Sequence, residues 1–272
     1  MHLKSRKSQL DLVAAKIKDN KMSKPNSYLE AKLDELVTAN RILGRENVCD
    51  AFGHVSIRHP DRDDRYFVSR SRAPERIERD DLMEFTLDGE AIDQQGRSPY
   101  AERHIHGAIY AQRPDVHSVV HNHSMNVIPF GVTKTPIRPI LHMCASMGCD
   151  VPVWDSRDKF GDTNLLVRSM DMGYDLAEAL GDKRVALMRG HGCVVVAETL
   201  RLAVFASVYL EMNAEIQLKS HMLAGDDITF LSEGEVEQIL GTRTSFTIER
   251  AWERWARRAD RAYDAEPNKA EF

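Results

Sequence analysis

The chain has 272 residues, 42% of them hydrophobic, enough for one large domain or two modest ones. Its formal net charge of −5 argues against a nucleic-acid footprint, which would be strongly basic, and it contains no run of about 18 apolar residues that would span a membrane. Four scattered cysteines, Cys49, Cys144, Cys149 and Cys193, form neither a zinc knuckle nor a disulfide framework. Together with a charged Met1–Asn20 segment lacking the apolar centre of a signal peptide, this leads us to expect a cytoplasmic protein with reduced thiols.

Residues 1–26 are polar and lysine-rich and are expected to form an N-terminal arm. Ser27 and Glu30 make a capping box ahead of Leu29, Leu33, Leu36, Val37 and Leu43 at helical spacing, with Gly44 as the stop. Residues 52–58 alternate like a strand, residues 60–64 make a turn, and residues 65–69 read as the returning strand of a hairpin. Residues 85–90 end in a turn dipeptide, Asp88-Gly89. A helix is expected over Ala101–Gln112, ended by Pro114, and the apolar run at 117–120 is a buried strand. Arg184–Met188 and Cys193–Val196 are two further strands joined by a sharp turn at Arg189–Gly192. Thr199 caps a long helix that Gly225 ends. The expected division is a catalytic unit over 27–225 and a helical extension over 226–272. The extension's Glu249–Asp264 stretch mixes aromatics with arginines and is expected at an oligomer surface or over a neighbouring site mouth.

The buried strand ends in His121-Asn122-His123. Successive strand side chains point to opposite faces, so His121 and His123 share a face, ~7 Å apart along the chain. Glu102 opens the preceding helix, with His106 one turn later on the same face. His191 stands between two glycines on a tight turn, where the backbone can come close to a neighbour. One carboxylate and three neutral imidazoles suit Zn²⁺, Mn²⁺, Fe²⁺ or Co²⁺ better than the oxygen-preferring Mg²⁺ or Ca²⁺. On spacing alone, the alternative of separate structural histidines stays open.

Four pieces of the chain, 53–58, 102–110, 113–124 and 189–192, resemble the class II aldolase/adducin family over roughly residues 29–224. The resemblance implies a divalent metal on His121, His123 and His191, with Glu102 as a fourth ligand or as an acid/base beside the ion. It also implies a three-layer α/β/α fold around a central, mainly antiparallel sheet, and a homotetramer with active sites between subunits. Adducin, the non-catalytic branch, lacks these histidines, so an enzyme is expected.

The family's sugar-phosphate members grip phosphate with Gly-Asn-x-Ser, a Ser-Gly or Thr-Gly pair, and Ser-Ser before the glutamate. Here His54 replaces the Asn, Ser69 is followed by Arg70-Ser71-Arg72, and Tyr100-Ala101 precedes Glu102. Guanidinium groups bind carboxylates in a two-pronged fashion and a phenol packs on a ring. Ser69, Arg70, Arg72 and Tyr100 are therefore the expected substrate residues, with Arg103 and His104 nearby. The pattern resembles the family's decarboxylase branch. It implies one Mn²⁺ or Zn²⁺ per subunit and retro-aldol-like loss of CO₂ through a metal-stabilised enolate. Glu102, His106 or His54 would return the proton. The expected substrate is a small hydroxylated aromatic or pyridine carboxylate, best guessed as the vitamin B6 breakdown product 3-hydroxy-2-methylpyridine-4,5-dicarboxylate. A dihydroxyphthalate, a hydroxybenzoate and a sugar phosphate are the alternatives.

Overall fold

The computed structural model describes residues 27–260. The expected N-terminal arm and residues such as Tyr263 and Asp264 lie outside the described residues. Helix α1, Ser27–Arg45, buries Leu33, Leu36, Val37, Ile42 and Leu43 along one stripe. Gly44 does not stop it: it sits in the last turn, where a Cβ would lie 2.3 Å from Glu75 Cγ, so its role is close packing.

Seven strands form one sheet: β1 His54–Arg58, β2 Arg65–Ser69, β3 Leu82–Thr86, β4 Ser118–Asn122, β5 Val153–Trp154, β6 Val185–Met188 and β7 Gly192–Ala197. Their order is β3-β2-β1-β4-β7-β6-β5. Every neighbouring pair is antiparallel except β5 with β6. β1, β4 and β7 are buried along their whole length. Helices therefore cover both faces at the sheet's centre, and the polar residues of β1 and β4 are buried along with the apolar ones.

The side-chain period of two sends alternate residues into two cores. Val55, Ile57, Val120 and Val195 join one core with α1 and with α6, Leu200–Ala224. Val119, Val194 and Val196 join the other with α2, His104–Gln112, and α5, Met170–Leu180. The architecture is thus helix, sheet, helix, as the resemblance implied. Between these elements lie the short helices α3, Ile128–Val132, and α4, Arg157–Phe160. α2 starts three residues later than expected: Ala101–Arg103 form a turn instead, closed by the Ile105 N–H donating to Glu102 O at 3.0 Å. β5 gives no sequence signal because it has only two residues, one of them the exposed Val153.

The last two helices are α7, Glu233–Thr242, and α8, Ser245–Asp260. Trp252 and Trp255 of α8 are buried in the α1/α6 core of their own chain. Trp255 lies 5.8 Å from the Tyr209 ring, and the Arg201 guanidinium covers Trp252 at 5.0 Å. These two aromatics are therefore intrachain core. Apolar surface of that size is stabilised by the first partner in reach, and its own α1/α6 face is tethered beside it.

All four cysteines are free thiols, three of them buried. No helix among the described residues is long and apolar enough to cross a membrane. Gly192 lies close against the end of β4: a Cβ there would sit 2.0 Å from the Asn122 carbonyl oxygen. Gly192→Ala is expected to force these strands apart and cost about 1–3 kcal/mol, read as a lower urea midpoint at unchanged slope.

Candidate metal and substrate site

Strand parity builds the site. On β1, Val55 and Ile57 enter the α1 core, which turns His54 and Ser56 toward α2. His54 pairs directly across the ladder with His121 of β4. His123 follows β4 by one residue and stays on the same side, its ring centroid 5.1 Å from that of His121. Gly190, with φ +65°, makes the tight β6–β7 turn that presents His191. Glu102 reaches in from the turn ahead of α2.

One ligand atom from each of Glu102, His121, His123 and His191 falls in a cluster no wider than 4.8 Å. Glu102 Oε2 lies 3.6 Å from His121 Nε2 and 3.5 Å from His191 Nε2. His191 Nε2 and His123 Nε2 are 3.0 Å apart. The outward nitrogens are already spoken for: His121 Nδ1 donates to Cys193 O at 3.1 Å, and His191 Nδ1 donates to Leu165 O at 2.9 Å. A carbonyl only accepts, so both rings carry their proton on Nδ1 and turn an Nε2 lone pair inward. His121 Nε2 is fully buried with no hydrogen-bond partner. Glu102 Oε1 is anchored by the Val167 N–H at 2.9 Å, leaving Oε2 for the cluster. An orphaned buried lone pair, a second lone pair and a carboxylate aimed at one point fit a divalent transition metal.

The electrostatics agree with ligands that stay unprotonated, as metal binding needs. Burial, then His121 and His191, brings His123 down to about 4.

Behind the cluster runs a buried polar chain. His54 Nδ1 contacts His106 Nε2 at 2.6 Å, His106 Nδ1 contacts Ser56 Oγ at 2.6 Å, and Ser56 Oγ contacts Tyr110 Oη at 2.7 Å. Burial, reinforced by His121, holds His106 at about 3. Burial and then His106 push His54 well below the usual imidazole value. His106 thus faces His54 and Ser56 rather than the four-donor cluster.

A cavity of about 370 Å³ adjoins the cluster. Glu102, His123, His54, Tyr100 and Arg72 line it, with Phe52 and Leu166 among its apolar walls. Of the expected substrate residues, Tyr100 and Arg72 face this space, and Ser69 and Arg70 are not in its lining. Both arginines share one carboxylate: Arg72 Nη1 lies 2.7 Å and Arg70 Nε 3.7 Å from Asp81. Ser69 is fully buried. Arg103 is used structurally, donating to the carbonyls of Gly89 and Tyr100.

Sequence reasoning missed three contributors. Ser56 and Tyr110 were detectable, since Ser56 is two residues from His54 on a strand and Tyr110 four from His106 on a helix. Leu165 was not. It takes φ +65°, a left-handed conformation unusual for leucine, and its segment holds two of the four clustered side chains, His191 through Leu165 O and Glu102 through the Val167 N–H.

The depressed imidazoles have a consequence for stability. An unfolded chain takes up protons on His106 and His123 from about pH 6.5 downward, and the folded chain takes them up only near 3 and 4. Their contribution is complete above 6.5 and disappears as pH falls toward those values. Metal-free protein is expected to lose stability between pH 6.5 and 4. His106→Asn should make that decline shallower by up to ~1.4 kcal/mol per pH unit, read from urea midpoints at pH 7, 6 and 5.

Comparison with known proteins agrees with this picture. The model of the Class II Aldolase and Adducin N-terminal domain matches residues 34–218. Decarboxylase tropJ from Talaromyces stipitatus is 35% identical over 248 residues, covering 82% of this chain and 92% of that protein. The 3,4-dihydroxyphthalate decarboxylase of Arthrobacter keyseri is 26% identical and covers 80% and 90%. The solved L-fuculose 1-phosphate aldolase of Glaciozyma antarctica superposes with a TM-score of 0.71 at 21% identity, over 89% of this chain and 93% of that one, a likeness of fold. By its sequence and its architecture, this chain belongs to the class II aldolase and adducin family.

Proposed function

We propose that this protein is a metal-dependent carboxy-lyase acting on a hydroxylated aromatic or pyridine carboxylic acid. The carrying observation is the four-donor cluster, two of whose members, Glu102 and His123, line a cavity shared with Arg72, Tyr100 and apolar groups. Decarboxylases among the relatives support the reaction class. A second reading, aldol cleavage of a sugar phosphate, is favoured by the L-fuculose phosphate aldolase of Escherichia coli, 26% identical over 154 residues. His54 at the phosphate-gripping asparagine position counts against it.

In this proposal Glu102, His121, His123 and His191 hold the ion, either Mn²⁺ or Zn²⁺. A bound divalent cation supplies Lewis acidity for the electron pair released when the ring carbon parts from CO₂. The chain's residues do the rest. Tyr100 and Phe52 flank a flat ring, and Arg72 meets a second carboxylate. His54, with His106 behind it, returns one proton to the ring carbon that lost CO₂ and recovers it from solvent through the cavity, while Glu102, both of its oxygens engaged, serves as a ligand. The Ser56–Tyr110 pair fixes the His106 ring, so that His54 meets the cavity in one orientation. The finer reading of the substrate is 3-hydroxy-2-methylpyridine-4,5-dicarboxylate. 3,4-Dihydroxyphthalate shares its adjacent carboxylates and neighbouring hydroxyl, and a hydroxybenzoate is the simpler variant. We further propose a cytoplasmic homotetramer with sites between subunits; a monomer by light scattering would contradict that.

The reading is tested with purified protein and a substrate panel. CO₂ release from one of these acids is expected, abolished by chelator and restored by Mn²⁺ or Zn²⁺. His123→Ala should retain substoichiometric metal. Turnover of L-fuculose phosphate alone would overturn the decarboxylase reading, and full metal occupancy in His123→Ala would overturn the ligand set. Leu165→Val, which adds β-branching at a left-handed residue, should weaken zinc retention about tenfold. Leu165→Gly, free to adopt that conformation, should weaken it less, as read by competition with a chromogenic chelator.

A further inference from the structure

The buried line of polar side chains behind the four-donor cluster has a direction. The Tyr110 hydroxyl is buried and finds one acceptor among the described residues, Ser56 Oγ at 2.7 Å. The other group against its oxygen, the Val119 amide, only donates. A buried O–H without an acceptor is costly, so the phenol donates to Ser56. The serine has one hydrogen, and its remaining side-chain contact is His106 Nδ1 at 2.6 Å, so it donates there. An imidazole whose Nδ1 accepts carries its proton on Nε2. His106 Nε2 therefore donates to His54 Nδ1 at 2.6 Å, and by the same rule His54 carries its proton on Nε2. That nitrogen has no protein partner among the described residues and is not sealed from the cavity, which His54 lines beside Glu102 and His123.

The far end of the line is prepared for negative charge. The Arg58 guanidinium carbon lies 4.8 Å from the Tyr110 ring centroid. Its hydrogen bonds go to four main-chain carbonyls, and none among the described residues goes to a carboxylate. A cation so placed favours the charged form of the phenol. Burial raises the Tyr110 phenol, and Ser56 and then Arg58 oppose that rise. The group thus keeps its proton at rest and yields it only to a strong base. We infer, resting on the carboxy-lyase reading above, that Tyr110 is the remote proton source for the ring carbon that loses CO₂. As that carbon takes the His54 Nε2 proton and forms its C–H bond, His54 Nδ1 takes the proton of His106 Nε2. His106 Nδ1 takes that of Ser56, and Ser56 Oγ takes that of Tyr110. The electron pair left behind rests on the Tyr110 oxygen, beside Arg58. One solvent proton entering at His54 Nε2 through the cavity shifts every proton back, so each CO₂ released consumes one proton. Tyr110 touches no substrate and is a positioning residue that acts through His54.

Neutron diffraction from crystals of the zinc-loaded full chain, exchanged into D₂O, reads the direction without turnover. Deuterium is expected on Nε2 of both His54 and His106, and deuterium on Nδ1 of either would overturn the inference. Tyr110→Phe removes the proton source but keeps the direction, since Ser56 still has His106 to donate to. On an acid that is turned over, this variant should lower kcat roughly a hundredfold, with KM and metal content changed less than about twofold. The wild-type kcat should fall along a curve as the deuterium fraction of the solvent rises, because several protons move together, and along a straight line in Tyr110→Phe. Equal kcat, or the same curve in both proteins, would overturn the relay. Release of CO₂ from none of the acids would overturn the carboxy-lyase reading and the relay built on it, while the deuterium positions still decide the direction.

Discussion

Two imidazole nitrogens 3.0 Å apart, one of them demonstrably a lone pair, form the constraint around which this half of the molecule is arranged. Without a metal, the contact is satisfied only when His123 carries its proton on Nε2 and donates it to His191. The Glu102 carboxylate adds charge beside it, and the orphaned His121 Nε2 adds another acceptor. Once His123 also turns its lone pair inward, this group of acceptors is stabilised by a positive ion among them. The rest of the local fold reads as support for that arrangement: backbone carbonyls of Cys193 and Leu165 fix two rings, and the Val167 N–H fixes the carboxylate.

The sheet gives the same constraint its geometry. His54, Ser56, His121 and His123 come to one side because strand residues alternate, and the opposite side of the same strands is packed with valine and isoleucine. A one-residue slip in β1 or β4 would exchange the two sets. The apolar core on the α1 side therefore sets the position of the polar one on the α2 side. The close approach of β7 to the end of β4 at Gly192 brings the His191 turn within reach of His123.

Much of this was legible in the sequence because it obeys local rules. The His-x-His alternation, the Gly-His-Gly turn and the helix caps are all short-range patterns, and the antiparallel sheet came from the family resemblance. What escaped was long-range or conformational. Leu165 carries no mark of its left-handed backbone. The two-residue β5 is too short for a periodicity. The fate of Arg70 and Arg72 depended on Asp81, nine or more residues on, folding back beneath them in a 3₁₀ turn. The α8 tryptophans looked like surface because nothing local reveals which face of the chain will cover them.

That buried aspartate has a further consequence. Asp81 accepts from Arg72 at 2.7 Å and from the Glu78 N–H at 2.8 Å, and is itself only 5% exposed. An arginine side chain left loose would surrender up to ~2 kcal/mol of rotamer freedom on gripping a ligand. Braced from behind, it has already surrendered most of that during folding. The guanidinium edge that looks into the cavity is thus a stiff, half-neutralised fixture. It discriminates by direction more than by strength of attraction, rewarding an anion that arrives along its fixed axis and giving little to one that does not.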